Sequence, residues 1–136
     1  MYETFDHTAD LGLRIRGADL NTLFAEAATA LFATIVENLD TVRPEQRVDV
    51  RLAGSERDYL LFDWLRELLA HFYSRHLLLS RFQVQVHEAD MEATAWGELL
   101  DPARHTLTHE VKAVTYHGLR VEPDGDGWLA EVIVDI

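Results

Sequence analysis

The chain has 136 residues, in which 24 acidic side chains outnumber 12 basic ones and leave a formal net charge of −12. This length suits one compact domain, which we expect to span residues 1–136. The sequence contains no cysteine, which excludes disulfides and thiolate metal sites. Any bound metal must therefore have oxygen or imidazole ligands.

The acidic balance argues against direct nucleic-acid binding, because such binding depends on clustered cations that neutralise phosphates. The basic residues are scattered arginines and a single lysine, Lys112. No apolar run is long enough to span a membrane, and the first residues lack the pattern of a signal peptide. We therefore expect a soluble, cytoplasmic protein with no membrane segment.

The first predicted elements are a strand and a helix. Leu11, Leu13 and Ile15 alternate with glycine and arginine, which is the period-two pattern of a strand with one buried face. Asp19 then predicts an N-cap for a helix over about 20–37, because the apolar side chains that follow recur at i, i+3 and i+4.

A second strand and a second helix follow. Alternating apolar residues predict a strand over 48–52. Ser55 and Asp58 have the spacing of a capping box, which predicts that the second helix begins here and continues to about residue 74.

The second half of the chain is predicted to be rich in strands. Apolar runs at 82–86 and 91–98 flank a polar turn and predict a hairpin, and residues 101–110 predict a loop. Two more β-rich runs follow, at 111–121 and 128–136.

The turn between these last two runs contains a doubled Asp-Gly pair, Asp124-Gly125-Asp126-Gly127, which is a strong hairpin signal. It lacks the ligand spacing and closing glutamate of a calcium loop. The whole pattern predicts an α+β fold, with two amphipathic helices packed on a largely antiparallel or mixed β-sheet of about six strands.

Familiar catalytic motifs are absent from the sequence. There is no phosphate-binding glycine loop, no GxSxG turn and no HExxH helix. The seven histidines do not have the spacing of an imidazole-only metal site. The candidate chemistry is therefore carried by carboxylates.

The first acidic cluster is the segment Asp6-His7-Thr8-Ala9-Asp10, which lies between two strand-like runs. Two carboxylates and an imidazole in five residues suit a hard divalent cation, which prefers oxygen ligands. The alternative is a turn in which Asp6 and Asp10 bond nearby backbone amides.

The second acidic cluster lies at the carboxyl end, where Val132-Ile133-Val134-Asp135-Ile136 predicts a strand that reaches the last residue. A terminal strand packed in a sheet would hold its α-carboxylate in place beside Asp135. Together they would form a cation site if another acidic loop came close. The alternative is an edge strand whose outward-facing aspartate guards against edge pairing.

Lys112 is the third feature. A single lysine in a chain whose other basic residues are arginines can occur by chance and need not have a function. Its compact ammonium could also pair with a carboxylate site or with an incoming phosphate, and the spacing leaves both readings open.

The ordered set of these segments resembles the archease family over essentially the whole chain. The segments that carry the resemblance are Asp6-His7-Thr8-Ala9-Asp10, the alanine-rich helix after Gly17, Leu60-Leu61-Phe62-Asp63-Trp64-Leu65, Glu110-Val111-Lys112-Ala113-Val114-Thr115-Tyr116-His117 and Val134-Asp135-Ile136.

The resemblance implies an accessory protein of the RtcB-type RNA ligase, which joins 3′-phosphate or 2′,3′-cyclic-phosphate RNA ends to 5′-hydroxyl ends. That ligase guanylylates its own histidine with GTP and a divalent metal. The resemblance implies that the accessory protein promotes this step and supports multiple turnover in tRNA splicing or RNA repair.

The resemblance also implies a site for a divalent cation, which is calcium in the family, with manganese or magnesium as alternatives. By position, the ligands are Asp10, Asp135 and Ile136. Asp6, His7 and Lys112 fall in the surrounding acidic or partner-facing surface.

Two other functions fit the residues. One is a stand-alone metal-dependent hydrolase that uses Asp6, Asp10, Asp135 and a histidine. The other is a general chaperone or interaction module, which should expose an apolar patch.

Overall fold

A computed structural model describes residues 1–7 and 10–136, with the main chain alone at position 7. It contains eight strands and two α-helices among these residues. In chain order they are β1 (Tyr2–His7), β2 (Asp10–Gly17), α1 (Leu20–Ile35), β3 (Gln46–Ala53), α2 (Arg57–Arg75), β4 (Leu77–Val86), β5 (Asp90–Leu99), β6 (Ala113–Val114), β7 (Arg120–Asp124) and β8 (Gly127–Asp135). A short 3₁₀ helix, Leu39–Thr41, follows α1.

The strands form two sheets, and every strand pair is antiparallel. The larger sheet has the order β1-β2-β8, and both β6 and β7 pair with the far side of β8. The smaller sheet has the order β3-β5-β4. The predicted α+β class is confirmed, with eight described strands in two sheets where about six in one sheet were expected.

The two helices pack together in the core between the sheets' apolar faces. Asp19 caps α1 as predicted, since its Oδ1 accepts a hydrogen bond of 2.7 Å from the amide of Thr22. Trp64 of α2 is fully buried, and its Nε1 donates to the carbonyl oxygen of Phe24 in α1 over 3.0 Å. This bond ties the helices to each other at the centre of the core.

The predicted capping box at the start of α2 is wrong. The cap position is Glu56, which makes no side-chain capping bond. Asp58 Oδ1 instead accepts from the neighbouring amide of Tyr59 over 3.0 Å. The helix begins one residue too late for Ser55 to cap it. At the other end α2 stops at His76, whose φ of 53° is left-handed.

The predicted run over 111–121 is also wrong as a continuous strand. Within this part of the chain, Ala113–Val114 and Arg120–Asp124 form two separate strands that pair with β8. Between them Thr115 Oγ1 donates to the carbonyl of Ile133 over 2.9 Å, and Gly118 turns the chain at a φ of 60°. The hairpin after β7 is confirmed, with Asp124 paired to Gly127.

The last strand, β8, is central rather than at an edge. It pairs with β2 on one side and with β6 and β7 on the other. Its Val132 and Val134 are opposite Leu13 and Leu11, and most of these side chains are fully buried against the helices. The intervening residues of both strands therefore face away from the helices.

No helix in the described part of the chain is long and apolar enough to cross a membrane.

Candidate functional site

Asp10 and Asp135 lie directly opposite each other in the β2–β8 pair. Directly opposed residues of an antiparallel pair project from the same face of the sheet, with their Cβ atoms about 4.5–5.5 Å apart. Since the neighbouring Leu11 and Val134 face the core, the two aspartates project from the opposite, helix-free face. Both are partly exposed at the end of the sheet.

The main chain around Asp135 is held from its other side as well. Ala113 of β6 pairs with Asp135, and the amide of Lys112 donates to the Asp135 carbonyl oxygen over 2.7 Å. Ile136 follows directly, and its partly buried side chain packs against the core. This packing keeps the main-chain oxygens of Ile136 at the same end of the sheet.

The other predicted site residues lie at this end too. Asp6, near the end of β1, is exposed and pairs through its main chain with Leu11. The main chain of His7 pairs with Asp10. The His7 side chain and the rest of the predicted acidic loop, residues 8–9, lie outside the described residues. Lys112 is exposed.

An aromatic side chain separates the aspartate pair from the charges farther along the sheet. A Cβ at Gly12 would lie 2.2 Å from Cζ of Phe5, so glycine leaves room for the ring at this position. The guanidinium carbon of Arg14 lies 4.7 Å from the centroid of the same ring. Arg14 also bridges Glu3 at 3.1 Å and Glu131 at 3.0 Å.

The carboxylates beyond the ring are thus already neutralised. Partial burial opposes the ionisation of Glu131, but hydrogen bonds from Arg120 and Arg14 outweigh it and lower its pKa. Hydrogen bonds from Arg14 and Arg16 lower the pKa of Glu3. Asp10 and Asp135 lie on the other side of the ring, and the exposed Asp6 is a third acidic residue near this end of the sheet.

Two carboxylates placed opposite each other destabilise a sheet unless a positive group lies between them. A divalent cation with bond lengths of about 2.3–2.6 Å can bridge carboxylates at this separation, and it accepts main-chain oxygens as further ligands. Within residues 1–7 and 10–136, no three histidine, aspartate or glutamate side chains are grouped for metal binding. The described residues place two side-chain carboxylates opposite each other, and Ile136 follows Asp135 directly in the chain.

The predicted loop over 101–110 contributes Arg104 and His105 to a buried ionic cluster around Glu98 of β5, which the sequence did not reveal. Arg104 Nη1 donates to Glu98 Oε1, and the amide of Arg43 donates to Glu98 Oε2, each over 2.5 Å. Burial of Glu98 opposes its ionisation, but these two hydrogen bonds hold its pKa at about 2.

His105 completes this cluster and is fully buried rather than exposed on a loop. Its Nδ1 accepts from the amide of Asp101 over 2.9 Å, and its Nε2 lies 3.4 Å from Glu98 Oε2. The cluster joins β5 to the loops before β3 and after β5, and we assign it to the fold. Arg104 and His105 are close to Glu98 in the chain, but Arg43 is 55 residues away, and nothing in the sequence indicated that these groups are buried together.

The model of the Archease protein family matches residues 2–136. The chain belongs to the archease family. Protein archease of Sulfurisphaera tokodaii is 36% identical over 137 residues, which cover 99% of this chain and 98% of that protein. Protein archease of Methanopyrus kandleri is 39% identical over 143 residues, with 99% of both chains covered.

Solved archease-like structures show the same fold. The solution structure of Methanobacterium thermoautotrophicum protein 1598 is 34% identical, with a TM-score of 0.89 over 99% of this chain and 98% of that one. The crystal structure of a Thermotoga maritima archease, described as a possible chaperone, is 21% identical with a TM-score of 0.66 and supports the fold alone. The resemblance seen in the sequence is confirmed.

Proposed function

We propose that this archease-family chain is an accessory protein of an RtcB-type 3′-phosphate RNA ligase and is not itself a catalyst. It promotes the GTP- and metal-dependent guanylylation of the ligase and its multiple turnover, in tRNA splicing or RNA repair. Family membership supports the proposal, and the single observation that carries it is the opposed pair Asp10 and Asp135 at an open end of the sheet.

In this proposal the pair holds a divalent cation through the two carboxylates and a main-chain oxygen of Ile136. Calcium suits the oxygen ligands, and manganese and magnesium are the alternatives. Three protein ligands leave coordination positions for water or for groups of the ligase. Asp6, His7 and Lys112 belong to the surface around the cation that faces the ligase.

The charge distribution is consistent with contact to a protein rather than to RNA. The net charge of −12 opposes phosphate binding by the chain itself. The cation would present a local positive charge at the end of an otherwise acidic molecule. In the proposal, this charge assists either the delivery of metal to the ligase active site or the closure of that active site during guanylylation.

The experiment is to follow ligase histidine guanylylation with GTP and manganese, in the presence and absence of this protein. Wild type and Asp126→Asn, which alters an exposed acid in the β7–β8 turn, should accelerate the step. Asp10→Ala and Asp135→Ala should accelerate it much less. Circular dichroism should show that both variants keep the wild-type fold. Undiminished stimulation by both variants would contradict the proposal.

Two other results would contradict the proposed function and favour one of the two alternative functions. Chelator-sensitive hydrolysis of phosphate esters by the isolated chain would indicate a metal-dependent hydrolase. Suppressed aggregation of unrelated client proteins, with no effect on ligase guanylylation across metals and nucleotides, would indicate a general chaperone.

A further inference from the structure

A small cleft beside the first turn of α2 is lined by Asp58, Tyr59, Tyr116 and Leu119 and has a volume of about 310 Å³. We call it the tyrosine cleft. Tyr59 is 52% exposed and Tyr116 is 57% exposed, although both are aromatic. Large exposed rings next to one another are typical of binding surfaces.

The rings of the tyrosine cleft are held in place by the fold. Tyr116 stacks on Phe62 with centroids 3.9 Å apart and an angle of 13° between the rings. Tyr59 meets Tyr116 edge-on, with centroids 5.8 Å apart. Because Phe62 is buried in α2, one face of Tyr116 is fixed on the core.

The turn that carries Tyr116 is also anchored. The amide of Thr115 donates to the carbonyl of Ile133 over 3.0 Å, and the amide of Leu119 donates to the carbonyl of Tyr116 over 3.2 Å. The main chain of this turn is therefore already ordered before binding, which lowers the entropic cost of binding at the cleft.

The charged side chain in the lining of the tyrosine cleft is a carboxylate. The lining contains the carboxylate of Asp58 and no cation. Two arginines of α2 lie over other rings, Arg57 over Trp128 at 4.9 Å and Arg66 over Phe62, the ring beneath Tyr116, at 5.5 Å. Aromatic faces and a carboxylate attract the same kind of group, which is a flat organic cation.

We propose that the tyrosine cleft binds the guanidinium group of an arginine on a positively charged segment of a partner protein. Arginine is favoured over lysine because its planar group can lie against a tyrosine face while it donates to Asp58. The net charge of −12 attracts a basic segment as a whole and repels the phosphates of RNA. This binding requires no cation at Asp10 and Asp135, so it can be tested in chelator.

The test is a titration of ¹⁵N-labelled protein in chelator with the peptide acetyl-Gly-Gly-Arg-Gly-Gly-amide, followed by amide chemical shifts. The shifts should concentrate at residues 58–59 and 115–119. The same peptide with neutral citrulline in place of arginine should cause almost none. Asp58→Asn and Tyr116→Leu should each weaken binding by about two- to five-fold or more, whereas Tyr116→Phe, which keeps the ring, should bind nearly as well as wild type.

Tyr2→Leu is the matched control, because Tyr2 is another exposed tyrosine but lies outside the cleft. It should leave the affinity unchanged. Equal shifts with the citrulline peptide, wild-type affinity in both Asp58→Asn and Tyr116→Leu, or shifts at these residues with oligouridylate but not with the arginine peptide would overturn the proposal. The spectra report the fold of each variant directly, and Asp58→Asn tests the site without removing a ring.

Discussion

Asp10, near the start of the chain, and Asp135, near its end, are direct cross-strand partners at the same end of the larger sheet. Their opposition places two negative charges where a sheet normally avoids them. On the other side of Asp135, the main chain of β6 brings Lys112 to the same end. In the proposed function, a divalent cation is held between the two carboxylates.

Removal of one carboxylate should have opposite effects with and without the cation. In chelator, Asp135→Asn should be as stable as wild type or more stable, because the repulsion removed is worth about 0.2–1 kcal/mol. With calcium at about 100 times its dissociation constant, wild type should gain about 2.7 kcal/mol, and the variant should gain much less. Urea unfolding under both conditions measures the difference. Equal calcium-dependent gains in the two proteins would contradict a ligand role for Asp135.

The buried cluster around Glu98 should control stability at acid pH. Its pKa is lowered from 4.5 to about 2 in the folded state. A lowered folded pKa means that the stabilisation is fully present above the unfolded pKa and is lost as pH falls from about 4.5 through about 2.

Glu98→Gln should therefore destabilise the protein near neutral pH, by about 3 kcal/mol, because it leaves the charge of Arg104 without its partner. Its stability should then fall less steeply than that of wild type between pH 4.5 and 2. Urea unfolding as a function of pH measures both slopes. Parallel curves would show that Glu98 is not held ionised in the fold.

Gly97 should not tolerate a side chain. A Cβ at this position in β5 would lie 1.7 Å from the carbonyl oxygen of Leu78 in β4, and main-chain atoms of a sheet cannot move aside easily. Gly97→Ala should cost about 3 kcal/mol or more. Gly54→Ala is the matched control, since its Cβ would meet only Leu60 Cδ1 at 3.4 Å. Thermal unfolding of the two variants should differ clearly, and similar midpoints would contradict the packing described.

The bond between the two helices should be measurable through Trp64. Trp64→Phe keeps an aromatic ring in the core but removes the Nε1 donor to Phe24 and leaves a small cavity. Together these should cost about 1–3 kcal/mol. Trp96→Phe, at a partly exposed position in β5, should cost less. The ranking would be contradicted if urea unfolding showed the Trp96 variant to be the less stable.

Local patterns predicted most of the secondary structure. The i, i+3, i+4 spacing of α1 and its Asp19 cap are properties of neighbouring residues, and both are observed. The prediction of one strand over 111–121 was wrong because an isolated glycine in such a run is compatible with a bulge within the strand, whereas Gly118 turns the chain. The division into two sheets depends on pairings between distant strands, which a single sequence does not specify.

The candidate site could also be predicted only in part, because it depends on contacts between distant parts of the chain. The sequence indicated two separate acidic clusters, one at Asp10 and one at Asp135. It did not indicate whether the two clusters lie next to each other in the fold. The pairing of β2 with β8 brings them together. The Glu98 cluster could not be predicted for the same reason, since Arg43 approaches Glu98 only through the tertiary fold.

The most direct measurement for the central claim is calorimetric titration of the metal-free protein with calcium and with manganese. We predict one cation per chain for wild type and for Asp126→Asn, and strongly weakened or lost binding for Asp10→Asn and Asp135→Asn. Wild-type binding in both of these variants, or no binding of either metal by wild type, would contradict the claim that this carboxylate pair holds the cation.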